Sequence, residues 1–129
     1  MHLTRNEIEI MDLLWEEGRA LSRGEILALS KGKSWMDSSI HILLNSMLKK
    51  GAIREGGYRR CGKTSGRLYE AALSCAEYHV STLHSTVMVP TMADLMRAYL
   101  EQEHPTAAAL SAAEKILKAE KASRKQLKI

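Results

Sequence analysis

Between Trp35 and Tyr69 the residue pattern changes its period once and then breaks on glycines, an order that few folds accept. Over residues 37–50 the apolar side chains Ile40, Leu43, Leu44, Met47 and Leu48 recur at the spacing of one buried helical stripe. Gly51 follows the basic pair Lys49 and Lys50 and stops the helix as a left-handed C-terminal residue does. Residues 52–55 then alternate, residues 56–66 form a basic, glycine-bearing turn, and residues 67–70 alternate again. Helix, strand, turn, strand is the order of a recognition helix followed by a wing. The helix's other face carries Ser38, Ser39, His41, Ile42, Asn45, Ser46 and Lys49, a mostly polar surface suited to a DNA groove.

Helix entrances are marked elsewhere by short capping patterns. Thr4 with Glu7, Ser22 with Glu25, Ser74 with Glu77 and Ser111 with Glu114 have the spacing of capping boxes, while Thr91 with Asp94 and the lone Asp37 are looser starts. Such a pair satisfies two orphan amide donors at a helix entrance, so each predicts where a helix begins. A first helix is expected over residues 5–17, with Ile8, Met11, Leu14 and Trp15 inward and Gly18 closing it. Ala20 and Leu21 are expected to add a third short strand. A second helix over residues 23–30 would bury Ile26, Leu27 and Leu29, and Trp35 is read as a core anchor. Three helices and a hairpin, closing near Ala72, make a winged helix-turn-helix.

Beyond Ser74 the pattern predicts three more helices. One over residues 75–87 carries Tyr78, Leu83 and Val87; one over residues 92–102 carries Leu95, Met96, Tyr99 and Leu100. Residues 103–110 read as a connection, and a last helix after Ser111 carries Ile116 and Leu117. These stripes are too broad to stay open on a monomer. Burial against a second copy is the economical solution, two-fold dimers being the commonest oligomers. The expected fold is therefore mostly α with a small β-wing: a winged helix-turn-helix domain over residues 1–73, then a three-helix dimerisation region over residues 74–129.

Composition matters here mainly through where the charge lies. The net charge is only +4, but residues 49–67 hold seven Lys or Arg against one Glu, and residues 1–25 hold three Arg against six acids. Segregation of this kind points to a polyanionic partner. No apolar run approaches the roughly 20 residues that span a bilayer, and the N-terminus lacks a signal-like apolar stretch, so a soluble, cytoplasmic protein without membrane insertion is expected. Cys61 and Cys75 fit no metal spacing and are too few for a disulfide framework.

Enzymatic readings find little support. Gly62, Lys63 and Thr64 lack the upstream glycine of a phosphate loop, no His-Glu-x-x-His is present, and the five histidines are scattered. Acidic residues are spread over helix surfaces. No catalytic residue, metal site or cofactor is expected. Cys61, beside Arg59, Arg60 and Lys63, is a side candidate for a redox-sensitive thiol.

DNA recognition, by contrast, has its parts in place. The N-terminal residues of a recognition helix reach base edges while wing and turns grip phosphate. Ser38, Ser39 and His41 are the candidate hydrogen-bonding residues, Ile42 the candidate for a thymine methyl, and Asn45 for adenine or the backbone. Lys49, Arg54, Arg59, Arg60, Lys63 and Arg67 would displace counterions from phosphates.

Several of these residues also carry a family resemblance. Leu3 and Thr4, Glu7, Ile10 and Met11, Leu14 and Trp15 resemble the first helix of the penicillinase-repressor and methicillin-resistance-repressor family of bacterial regulators, relatives of copper-responsive repressors. So do Glu25 and Ile26, Trp35, Leu43 and Leu44, the run from Leu48 to Gly51, Tyr69, Glu77 and Tyr78, and the late Leu110, Ser111 and Glu114. The resemblance implies an N-terminal winged helix, a C-terminal dimerisation region, binding of DNA dyads as a homodimer, and repression of transcription. It places the base-reading turn on Ser38, Ser39, His41 and Ile42. This chain departs from the family's Pro-Lys-Thr after Trp-Ser, with Met36, Asp37, Ser38 and Ser39; Ile42 replaces a Thr and Ser46 an Arg. The resemblance also implies a membrane sensor protease acting indirectly, through cleavage of an Asn–Phe bond whose counterpart here is Ala98 and Tyr99. The tail lacks the paired cysteines of the copper-responsive relatives.

The expected function is a sequence-specific, homodimeric repressor binding a palindromic double-stranded operator through the helix at residues 36–50 and the wing at residues 52–70. The alternative is a winged-helix interaction module whose basic wing binds an acidic protein.

Overall fold

Thr4 opens the first helix by accepting the Glu7 amide at 3.3 Å, while the Glu7 carboxylate takes the Thr4 amide at 2.8 Å. That reciprocal cap fixes α1, Arg5–Glu17, and Gly18 ends it at φ 66°. A computed structural model describes residues 1–61 and 64–127, with the side chains of residues 59–65 and 127 outside the description. The chain is mostly helical with a small antiparallel sheet: β1 (Leu21–Ser22), α2 (Arg23–Leu29), α3 (Ile40–Lys50), β2 (Ile53–Cys61), β3 (Thr64–Ala71), α4 (Cys75–Ser81), α5 (Met92–Glu103) and α6 (Ala107–Leu127). It divides into two compact units, Met1–Met88 and Val89–Ile129.

In the first unit the stripes read from the sequence meet in one core. Ile10, Met11 and Leu14 of α1, Ile26 of α2 and Ile40, Leu44 and Met47 of α3 are buried with Leu3, Leu21, Trp35, Ala52 and Ile53. Leu29, expected inside, is exposed because α2 ends on it. β1 joins the sheet as expected, one residue later than predicted, pairing Leu21 with Tyr69 and giving the order β1-β3-β2. The recognition helix does not start at residue 36. Asp37–Ser39 forms a 3-10 turn with no side-chain cap, and α-helical geometry begins at Ile40.

The hairpin is longer than predicted, because two glycines taken for its turn lie inside a strand. Glu55 pairs with Tyr69 and Gly57 with Leu68, so Gly56 is an extra residue in β2, a β-bulge. Gly57 has φ 110°, and a Cβ on Gly56 would lie 2.9 Å from the Ala20 Cβ. The bulge therefore needs both residues to be glycine.

α4 stops at Ser81 and continues as a 3-10 turn over Thr82–His84, short of the predicted end at residue 87. The Ser81 and Thr82 hydroxyls donate back to the Tyr78 and His79 carbonyls at 2.6 and 2.7 Å, competing with helix continuation, and the β-branched Thr86 and Val87 add little propensity. Tyr78 was expected at a dimer contact; its ring instead lies 5.7 Å from that of Trp15, against the first unit's own core. The Trp15 indole donates to the Leu73 carbonyl at 3.0 Å, tying α1 to the segment that leads into α4.

In the second unit, the Thr91 hydroxyl caps α5 by accepting the Asp94 amide at 3.1 Å, and His104 ends it in a left-handed conformation at φ 48°. α6 begins at Ala107, not after Ser111. Thr106 accepts the Ala109 amide at 3.1 Å, and the alanine run is strongly helix-forming, so the Ser111–Glu114 pattern falls inside the helix. No helix among the described residues is long and apolar enough to cross a membrane.

Candidate nucleic-acid interface

With Ile40, Leu44 and Met47 turned into the core, α3 presents the other side of the cylinder outward. His41, Ile42, Asn45 and Lys49 are exposed there, and in the 3-10 turn just before it Ser38 is exposed and Ser39 half-buried. Ile42 is 74% exposed, an apolar side chain in the middle of a polar strip. Ile42, Asn45, Ser46, Lys49 and Lys50 line a shallow depression along this face. α3 contains no acidic residue, and its two lysines sit in the last turn, where they complement the helix dipole.

The two lysines have different surroundings. Lys49 is exposed, whereas the Lys50 ammonium reaches 2.6 Å from the Glu7 carboxylate, which is 1% exposed. Burial alone would raise the Glu7 pKa, but Lys50, the Thr4 amide and the Ser46 and Thr4 hydroxyls outweigh it and hold the carboxyl at about 2. A partly buried ion pair thus ties the end of α3 to the start of α1. Sequence reasoning saw Glu7 as half of a cap and as part of the family resemblance, not as the partner of Lys50. Its position on the buried stripe, one turn before Met11, was the available signal.

The wing cations are partly committed within the chain. Arg54 contacts Glu70 at 2.8 Å and Arg67 contacts Glu55 at 3.1 Å, so each of these exposed guanidinium groups has a carboxylate partner within the chain. The pairing follows from register, since Arg54 lies opposite Glu70 across the hairpin. The Tyr58 side chain stands 68% exposed on the wing. The side chains of Arg59, Arg60 and Cys61 lie outside the described residues, as does Lys63 altogether.

One residue that sequence reasoning missed joins this surface. Arg23, the first residue of α2, places its guanidinium 3.1 Å from the His41 Nε2 on α3. Only the turn between the two helices brings these positions together, so no local pattern marked the pair.

Of the residues expected at a dimer contact, Leu83 is half-buried in the 3-10 turn after α4, and Val87 is fully exposed beyond it. Within the second unit, Met96, Tyr99 and Leu100 of α5 and Leu110 and Leu117 of α6 line an apolar groove of about 420 Å³. Tyr99 is 60% exposed and Ile116 70%, and Leu95 is half-buried. Among the described residues no cluster of His, Cys, Asp and Glu has the makings of a metal site.

The family model described as penicillinase repressor matches residues 3–127. A curated relative, an uncharacterized 16.5 kDa protein in the ptsI 3′ region of Latilactobacillus sakei, is 35% identical over 52 residues, covering 40% of this chain and 36% of that protein. The matched stretch is thus little more than a third of that relative's length. Among solved structures, PadR of Bacillus subtilis in complex with operator DNA is similar at 20% identity and a TM-score of 0.49, over 98% of this chain and 75% of that one. The ferric uptake regulator of Francisella tularensis with iron is similar at 17% identity and a TM-score of 0.43, over 56% and 54% of the two chains.

Proposed function

The chain belongs to the penicillinase repressor family, a family of transcriptional regulators rather than enzymes, and from that premise we propose that it acts as a homodimeric repressor on a palindromic DNA operator. The observation that carries the proposal is the outward face of α3 and of the 3-10 turn before it, where Ile42 stands exposed among Ser38, His41, Asn45 and Lys49, while Asp37, the acid of that turn, is paired with Lys33. A polar helix face without carboxylates can approach phosphates closely. A lone exposed isoleucine gains most where a thymine methyl covers it. Ser38, Ser39, His41 and Asn45 supply hydrogen bonds to base edges or phosphates. Lys49 together with Arg59, Arg60 and Lys63 of the wing supplies the backbone contacts, with Arg54 and Arg67 bracing the hairpin through Glu70 and Glu55.

A second copy supplies the two-fold symmetry. The apolar side chains left open on α5 and α6, among them Met96, Tyr99, Leu100 and Ile116, are the surface that dimerisation would bury. Two copies would then set paired recognition helices about 34–36 Å apart, or a multiple of that, on a duplex with inverted half-sites.

Fluorescence anisotropy on the DNA upstream of the protein's own gene, beside a scrambled duplex, tests this reading. The expected result is tight binding to the first alone, falling by several orders of magnitude between about 50 and 200 mM salt. Equal affinity for both duplexes would refute it.

A further inference from the structure

Several described cations of the first unit are held by carboxylates. Arg19, Lys33, Lys50, Arg54 and Arg67 each contact a carboxylate, at distances from 2.6 to 3.1 Å. Arg23 is held differently. Its guanidinium rests on the imidazole of His41, 3.1 Å from Nε2 and 3.4 Å from Nδ1, and among the described residues no carboxylate pairs with it. Both side chains are exposed. A neutral imidazole offers at most one ring nitrogen as an acceptor and brings no negative charge, so the other guanidinium donors stay available to an anion. It orients the group without neutralising it. Carboxylate partners spend a cation's charge inside the protein, whereas this arrangement keeps it available for an anion from outside.

The position of the pair suggests which anion. His41 lies in the first turn of α3, and Arg23 projects from the helix that precedes it. In helix-turn-helix docking the preceding helix crosses the sugar-phosphate backbone while the recognition helix enters the groove. An arginine there meets phosphate rather than a base edge, and such contacts set the register from which the bases are read.

We propose that Arg23 clamps a backbone phosphate at the edge of the groove and that His41 is the positioning residue that holds Arg23 ready for it. The inference rests on the DNA-binding reading above and adds to it a contact from outside the recognition helix and the wing. Pre-ordering matters because an arginine otherwise loses much rotamer freedom on binding, a cost that the imidazole contact reduces before DNA arrives.

The test measures affinity for the upstream and scrambled duplexes across a potassium chloride series. It compares the full-length protein with Arg23→Ala, Arg23→Lys, His41→Ala, His41→Gln and the double variant Arg23→Ala/His41→Ala. Arg23→Ala should weaken binding to both duplexes by a similar factor and reduce the salt slope by about 0.9, the signature of one lost phosphate contact. Arg23→Lys should keep the slope. His41→Ala should cost about two- to tenfold, with His41→Gln, which retains an acceptor, recovering most of it. In the Arg23→Ala background, His41→Ala should cost clearly less than it does in the wild type, since only the contact His41 itself makes with DNA is then lost. An unchanged slope in Arg23→Ala, a changed preference between duplexes, or fully additive effects of the two alanine substitutions would each overturn the proposal while the DNA-binding reading stood. A wild-type protein that binds neither duplex would overturn both.

Discussion

Replacing Glu7 by Gln removes one charge from the interior and leaves the side chain's shape and its acceptor for the Thr4 amide. In the wild-type protein the Glu7 carboxyl titrates at about 2 instead of 4.5, so its ionised form is favoured by folding. Each unit of such a difference is worth about 1.4 kcal/mol, which puts the gross stabilisation near neutral pH at about 3 kcal/mol. The Lys50 side chain is 31% exposed and can turn toward water once its partner is gone, so the loss on substitution should be smaller, about 2 kcal/mol. The sign is fixed by the direction of the shift. A carboxyl with a depressed folded pKa stabilises fully above the unfolded value and loses that contribution as pH falls from about 4.5 toward 2. Urea unfolding at pH 7 should therefore show Glu7→Gln less stable by about 2 kcal/mol, and the gap should narrow steadily below pH 4.5. A variant within about 0.5 kcal/mol of wild type at pH 7, or a gap that stays constant down to pH 3, would refute the reasoning.

Three further outcomes follow from the geometry. Gly56→Ala places a methyl 2.9 Å from the Ala20 Cβ and should destabilise the first unit by about 1–3 kcal/mol in urea unfolding, whereas the same change at the open position Gly24 should cost far less. Trp15→Phe deletes the indole donor to the Leu73 carbonyl and should cost about 1 kcal/mol, with faster amide exchange across residues 75–81 as its local sign. Leu100→Asp puts a charge in the apolar groove of the second unit, and sedimentation equilibrium should find it as a single chain where the wild type has twice the mass.

How much of this was legible in the residues depended on how local the determining chemistry is. The boxes at Thr4, Ser22 and Ser74 marked helix starts correctly because the cap is made within four residues. Ser111 carried the same pattern and misled, because Thr106 and three alanines had already begun α6. Gly56 and Gly57 read as turn residues, since a bulge and a turn use glycine for the same backbone freedom and only strand pairing tells them apart. The outward face of α3 was legible from helical period alone. The Glu7–Lys50 pair and the Arg23–His41 contact were not, as they join residues 43 and 18 positions apart. Tyr78 fell between: its place on an apolar stripe suggested an interface between copies, and the Trp15 ring packs against it within the chain.

The account stands on α3 meeting DNA through the face that carries Ile42. Amide chemical-shift mapping of the ¹⁵N-labelled protein, titrated with a duplex from upstream of its own gene, examines that face residue by residue. The account predicts the largest changes at Ser38, His41, Ile42 and Asn45, at Arg23 and along the wing, with the outer face of α1 and Asp12 nearly unmoved. Changes concentrated on α1 or α6, with α3 quiet, would contradict it.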